Sequence, residues 1–289
     1  MSRMGDVLAG NHAVWEFDSD SVLIRFERGM SALRMPRLWH ALGQRRIPHE
    51  ALSEVSVTVT AGKRDTVVLR AVPRPGADPL MDAAAGQLKD LCDPYRLVLP
   101  ADRAPLATAL ADGLRARLGP DPAEPAPRFL VEAPKPPLHL KGYDARATLD
   151  ESGVSLRWSR TGASSTKWKS GDRHYPLAAL TGVEWRTPEN PGGYLRLRSR
   201  EDDVEERAPE HDPATVLFSL GYGAVHESLP FAAAVLAAVR SRTPVAAGPL
   251  TAPAPPEPDR MRHLGELHGA GLLTDAEYGA LRDRYASEA

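Results

Sequence analysis

The feature that most constrains this chain is an internal repeat. Gly10–Phe26, GNHAVWEFDSDSVLIRF, returns at Gly142–Trp158 as GYDARATLDESGVSLRW, and the seventeen residues align without a gap. Gly10/Gly142, Ala13/Ala145, Phe17/Leu149, Asp18/Asp150, Val22/Val154, Ile24/Leu156, Arg25/Arg157 and Phe26/Trp158 occupy matching places. A match of that length and spacing means two copies of one module, and each copy is long enough to close its own core.

Each copy opens on a hairpin. Ala13–Phe17 alternates apolar and polar residues, Asp18-Ser19-Asp20-Ser21 is turn chemistry, and Val22–Phe26 is a second strand; Asp150-Glu151-Ser152-Gly153 is the turn of copy two. Further on, Ile47-Pro48 with Ala51–Val55 is matched by Tyr175-Pro176 with Ala179–Val183, the offset falling from 132 to 128. Strands are expected at 55–60, 66–72 and 95–99, and from Val183, Tyr194 and Val216 in copy two. Leu106, Leu110, Leu114 and Leu118, then Phe231, Val235 and Val239, are apolar stripes of a closing helix that must be covered, by its own sheet on the simplest reading. The expected class is mainly β with α: two pleckstrin-homology-like barrels, each capped by a C-terminal helix, plus a small C-terminal α-hairpin. Other small barrels with a terminal helix would read alike.

Proline marks the joints. Residues 119–138 hold seven prolines and 241–260 hold six, so both read as extended spacers, with Phe129-Leu130-Val131 an apolar island able to dock. The expected divisions are module one at 8–118, a linker at 119–138, module two at 139–242, a second linker at 243–258 and a helical hairpin at 259–289. With 36 basic and 38 acidic residues, no net field draws nucleic acid, and none is expected as a partner. The lone Cys92 excludes an intrachain disulfide and fits a reducing compartment. The first residues lack an apolar signal core, and no run approaches the ~20 apolar residues that span a bilayer. The expected location is the cytoplasm, with no transmembrane segment.

The tail carries a capping box, Thr274-Asp275-Ala276-Glu277, with Leu273 and Tyr278 placed for a hydrophobic staple. Met261, Leu264, Leu267, Leu273, Tyr278 and Leu281 define its candidate docking face. A hairpin this small buries too little surface to stand alone. Leu264–Tyr285, LGELHGAGLLTDAEYGALRDRY, resembles the SHOCT motif. The modules resemble the tandem actinobacterial domain of unknown function 4429. Ile47-Pro48, Gly76-Ala77-Asp78-Pro79-Leu80 and Asp93-Pro94-Tyr95 carry the resemblance in copy one, and Tyr175-Pro176-Leu177, Gly182–Trp185 and Gly193–Arg198 carry it in copy two. The resemblance implies a pleckstrin-homology-like fold per module and an oligomerising or docking tail, and it implies no activity. Met81–Asp93, read as a helix inserted before the Asp93-Pro94-Tyr95 strand, has no clear partner in copy two, where an acidic run, 201–210, stands instead, so the Asp-Pro-Tyr signature is not carried over to that copy.

No phosphate loop, dinucleotide fingerprint, nucleophile elbow or zinc-protease helix is present. No catalytic residue, cofactor or metal is therefore expected. Glu210-His211-Asp212 holds an acid, a base and an orienter, but Pro213 makes it a turn. The better candidate is a basic loop after each opening hairpin. Residues 27–46 hold Arg28, Arg34, Arg37, Arg45 and Arg46 around Trp39; residues 159–174 hold Arg160, Lys167, Lys169 and Arg173 around Trp168. Cations around an indole suit a phosphate-bearing or interfacial ligand. The competing reading packs each tryptophan on its own module and leaves the arginines as solubilising charge. The functional expectation is a non-enzymatic interaction or scaffold protein whose modules bind a protein, a peptide or an anionic lipid surface, with a self-associating tail. Two alternatives stand beside it: a structural homo-oligomer built through the hairpin with the modules as spacers, and an enzyme with no constellation legible.

Overall fold

The repeated glycine lies where the chain must press two sheets together. In this computed structural model, which describes residues 6–27, 35–60, 65–119, 121–200 and 207–242, Gly10 follows β1 (Asp6–Ala9) and Gly142 follows β8 (Leu138–Lys141). A Cβ on Gly10 would stand 2.6 Å from the Val98 carbonyl oxygen, and one on Gly142 would overlap the Val216 side chain. The next amides turn that closeness into bonds. Asn11 N–H donates to Val98 O at 2.8 Å, and Tyr143 N–H donates to Leu217 O at 2.8 Å.

These contacts join two antiparallel sheets in each half. β1, β2 (Ala13–Phe17), β3 (Ser21–Phe26) and β4 (Gln44–Pro48) form one sheet in that order, and β5 (Leu52–Thr60), β6 (Thr66–Pro73) and β7 (Arg96–Pro100) form the other. The second half repeats the plan with β8, β9 (Ala145–Leu149), β10 (Gly153–Trp158) and β11 (Arg173–Pro176), then β12 (Leu180–Arg186), β13 (Tyr194–Ser199) and β14 (Thr215–Leu217). The register irregularity at Leu52/Glu54 recurs at Leu180/Gly182. The expected barrels are thus open. Among the described residues each half is a four-stranded and a three-stranded sheet, touching at the glycine turn without a continuous hydrogen-bonded ring. Trp15, Ile24 and Ile47 face Val67, Leu69 and Leu97 in the first core, and Leu149 and Leu156 share the second core with Leu195, Leu197 and Val216.

Short helices interrupt both halves at the same point: α1 (Arg37–Leu42) before β4 and α4 (Ser165–Lys169) before β11. The first half adds α2 (Pro79–Ala84), capped by the Asp78 side chain on the Leu80 N–H, and a 3-10 turn at Asp90–Cys92. The closing helix α3 (Ala104–Arg115) buries Ala107, Ala111 and Leu114, while Leu106 is 40% exposed. The expected stripe at four-residue steps drifts about 40° per step around a 3.6-residue helix, so its first leucine winds off the buried face.

The other closing helix, α5 (Val225–Arg242), is buried on every side along its middle, from Leu229 through Val235. A helix apolar all round needs two partners. Its own strands cover one flank, and α1 and α2 of the first half cover another, so Leu38, Leu80, Ala83 and Ala84 belong to the second core. The helix therefore serves both halves. At its end Arg240 donates to Ala126 O at 2.8 Å and lies 4.5 Å over the Phe129 ring, gripping the proline-rich spacer. That spacer is laid on the first half, where the amides of Leu130 and Val131 both donate to Ala77 O. All described residues fall within the compact unit Met1–Thr243, and the expected C-terminal hairpin lies outside the described residues.

Leu80 is in the first half by sequence and fully buried in the second half's core. Leu80→Ala is expected to cost about 2–5 kcal/mol and to shift one unfolding transition common to both halves, followed in urea by tryptophan fluorescence and circular dichroism. Two separate transitions, with only the earlier one moved, would contradict a shared helix.

Candidate functional site

The structure divides the described residues of the two basic loops between buried braces and exposed positions. In copy one, Trp39 is buried, stacks on Phe26 with ring centroids 5.3 Å apart, and donates its indole N–H to Cys92 O at 3.0 Å. Arg45 alternates inward on β4, and its guanidinium lies 2.7 Å from Asp78 and donates to the Tyr95 hydroxyl at 3.0 Å. That hydroxyl in turn donates to the other Asp78 oxygen at 2.5 Å. Burial opposes the Arg45 charge, but Asp78 and Tyr95 outweigh it and hold the guanidinium above its usual pKa. Burial also pushes the Tyr95 hydroxyl well above its ordinary range. Arg46, one residue on, points outward and pairs with exposed Asp18 at 2.7 Å. Arg37 is exposed at the start of α1. Arg34 and the tail face from Met261 to Leu281 lie outside the described residues.

In copy two the division is sharper. Lys167 is fully buried; its ammonium lies 2.6 Å from Asp144, donates to Thr215 O at 2.8 Å, and sits 5.4 Å from the Trp158 ring centre. The other Asp144 oxygen accepts from Leu217 N–H at 2.8 Å. Burial pulls the Lys167 ammonium down and the Asp144 carboxyl up from their usual values, and their mutual attraction offsets both shifts. Lys167 therefore takes the place of Trp39, each covering the aromatic that ends its third strand. Trp168 is its exposed neighbour, 52% accessible, with Lys169 and Arg173 also exposed. The ungapped repeat carried the signal: Asp144 stands where copy one has His12, a carboxylate gained where a lysine replaces an indole.

A second brace recurs unnoticed by sequence matching. Asp93 accepts from Tyr95 N–H at 2.9 Å and pairs with Arg70 at 2.8 Å; Asp212 accepts from Ala214 N–H at 2.9 Å and pairs with Arg196 at 2.8 Å. Asp212-Pro213 is thus the counterpart of Asp93-Pro94, and the carboxylate of the Glu210-His211-Asp212 run holds strands together.

Cations do converge elsewhere, at the glycine turn of copy two. Lys141, Arg146 and Arg157, from three adjacent strands, border a pocket of about 440 Å3 with the side chains of Tyr143, Thr161 and Tyr222. Lys141 lies 5.1 Å from the Tyr222 ring centre, and Tyr143 meets Tyr222 edge to face at 6.0 Å. Asp144 fixes the floor, its carbonyl accepting from Ser159 N–H at 2.7 Å while its carboxylate holds Lys167 and Leu217. Arg157 lies 3.9 Å from Asp172 with both side chains largely exposed, a weak pair in water. Copy one lacks this arrangement. Ala9, Val14 and Glu27 replace Lys141, Arg146 and Ser159, and Arg25, the match of Arg157, is paired with Glu16 at 3.0 Å. Three cations with hydroxyls beside them can hold a phosphate or carboxylate group. The sequence hid this site because its cations are spread over 17 residues and lie in strands. The readable signal was the set of places at which the two copies differ.

Among the described residues no group of three or more His, Cys, Asp or Glu side chains could hold a metal ion, and no helix is long and apolar enough to cross a membrane. Burial pushes the Cys92 thiol up, away from the thiolate. One family model matches the chain twice, at residues 15–115 and 147–236; its description is "Domain of unknown function (DUF4429)". A search of the curated proteins finds no match.

Lys167→Met is expected to cost about 3–5 kcal/mol by stranding Asp144, and Lys167→Met with Asp144→Asn to recover part of that loss. Lys169→Glu, two residues away, should stay within about 0.5 kcal/mol of the parent. Urea unfolding of the three variants tests this, and equal effects at 167 and 169 would refute the internal pair.

Proposed function

Because the chain belongs to the DUF4429 family, in two copies, and that family's description assigns no role, we propose a function from the geometry: a non-enzymatic interaction protein whose second half holds an anionic group of its partner. In this reading the two halves are pleckstrin-homology-like modules, which the succession of seven strands and a helix in each half supports. The SHOCT-like tail supplies self-association or docking, and the single thiol of Cys92 suits the cytoplasm.

The observation that carries the proposal is the convergence of Lys141, Arg146 and Arg157 in one copy, where the other copy has an alanine, a valine and an already paired arginine. A repeated scaffold with charge gathered on one copy marks a difference that folding does not require. Acid–base chemistry has less to draw on, since Asp78, Asp93, Asp144 and Asp212 are engaged in braces. The anion is a phosphate-class group, on a lipid surface or on a soluble partner.

Flotation with phosphatidylcholine vesicles, with and without phosphatidic acid, at low and high salt, tests the lipid source; competition by inorganic phosphate tests the shared chemistry. The full chain should float with the acidic vesicles at low salt, and phosphate should displace it. Arg146→Glu should weaken binding by about tenfold or more, as loss and reversal of a charge-assisted contact requires, while Arg25→Glu should change it little. Equal behaviour of wild type and Arg146→Glu would remove the proposal.

A further inference from the structure

The two copies differ at a second place, the free edge of the three-stranded sheet. β5 and β12 are edge strands, and an edge strand presents backbone donors and acceptors to whatever lies beside it. In copy one the outward carbonyl of Val55 is capped by the Arg115 guanidinium of α3 at 2.7 Å. The repeat register makes Val183 the match of Val55, two residues past the same irregularity. Among the described residues Val183 has no such cap.

What the protein places on that edge is a substitute for a peptide. The Gln87 carboxamide donates to Trp185 O at 2.9 Å and accepts from Thr187 N–H at 3.1 Å, the donor and the acceptor that one residue of a parallel neighbouring strand would turn toward this edge. Since Trp185 O points away from β13, the alternation of an antiparallel pair sends the Val183 N–H and C=O the same way. Neither has a partner among the described residues. Gly182, Val183 and Glu184 there line a cleft of about 810 Å3 whose other wall is Asp82, Ala83 and Ala85 at α2, with Leu236 of α5. Ala83, Ala85, Val183 and Leu236 make an apolar strip in this cleft, and the two acids beside it are already matched, Glu184 by Arg198 and Asp82 by Arg240 at 3.7 Å.

We infer that this cleft takes an extended peptide segment of a partner protein, which adds to the β12 edge as a further strand through the Val183 backbone and lays an apolar side chain between Ala83, Val183 and Leu236. Gln87 marks where the added strand stops. The site is composite, since α2 comes from the first half, and it does not depend on the anion pocket.

The test starts from a displayed library of random peptides of about ten residues, ample for a strand of typical length, selected against the full chain. Enriched peptides should protect the Val183 amide in hydrogen exchange. Val183→Pro removes the outward N–H without touching the ladder to β13, as proline on an edge strand can, and should weaken binding about tenfold or more. Gly182→Trp should do the same by filling the cleft; a Cβ at Gly182 meets nothing within 4 Å, so this variant decides the matter if Val183→Pro fails to fold. Arg146→Glu should leave peptide binding unchanged, which separates this site from the anion pocket. Failure to enrich any peptide, or peptides that bind Gly182→Trp as well as wild type, would overturn the inference.

Discussion

The buried ion pair and the cationic pocket of the second half both rest on one backbone contact, the Tyr143 N–H on the Leu217 carbonyl, made possible because Gly142 has no side chain to hold the strands apart. It fastens the first sheet to the last strand of the second. It also positions Asp144, whose carboxylate reaches a backbone amide of that last strand and the buried Lys167 together. A buried ion pair is expensive to desolvate and is tolerated where its remaining hydrogen-bonding capacity is met. Thr215 O and Leu217 N–H meet it here. The same turn carries Lys141 and Tyr143 to the pocket rim, so the brace and the candidate site are two sides of one segment.

Duplication supplies a control within the molecule. Both copies keep the glycine turn, the Asp–Arg brace and the irregularity in the edge strand. They differ in what is left open. Copy one pairs Arg25 with Glu16 and caps Val55 with Arg115, whereas copy two gathers cations at its turn and leaves Val183 beside a cleft. Copy one instead contributes α1 and α2, which cover the far flank of α5. These two helices serve as a wall for the second half, whose turn and sheet edge carry the two candidate sites.

The strands and the two-copy plan were legible because period-two alternation and turn chemistry are local. Val22–Phe26 and Val154–Trp158 could be read from a few residues each. The basic loops were less legible, because charge counted along a sequence is blind to which way a residue points. Arg45 and Arg46 are neighbours, yet alternation on β4 buries one on Asp78 and exposes the other. Trp39 was matched to Trp168 by residue type, and the helix phase instead puts Lys167 in that place. The Asp212 brace escaped for a related reason: the loop before it differs between copies, so spacing alone could not align Asp212-Pro213 with Asp93-Pro94. The cationic pocket needed three strands to be paired before its cations met.

The central claim is that the glycine turn of the second half, and not that of the first, is an anion site. The most direct measurement is a two-dimensional amide NMR titration of the full chain with inorganic phosphate at low ionic strength. The account predicts saturable shifts for the amides of Gly142, Tyr143, Ser159 and Thr161, with no comparable change at Gly10 and Asn11. Shifts of equal size in the two turns, or none at the second, would contradict it.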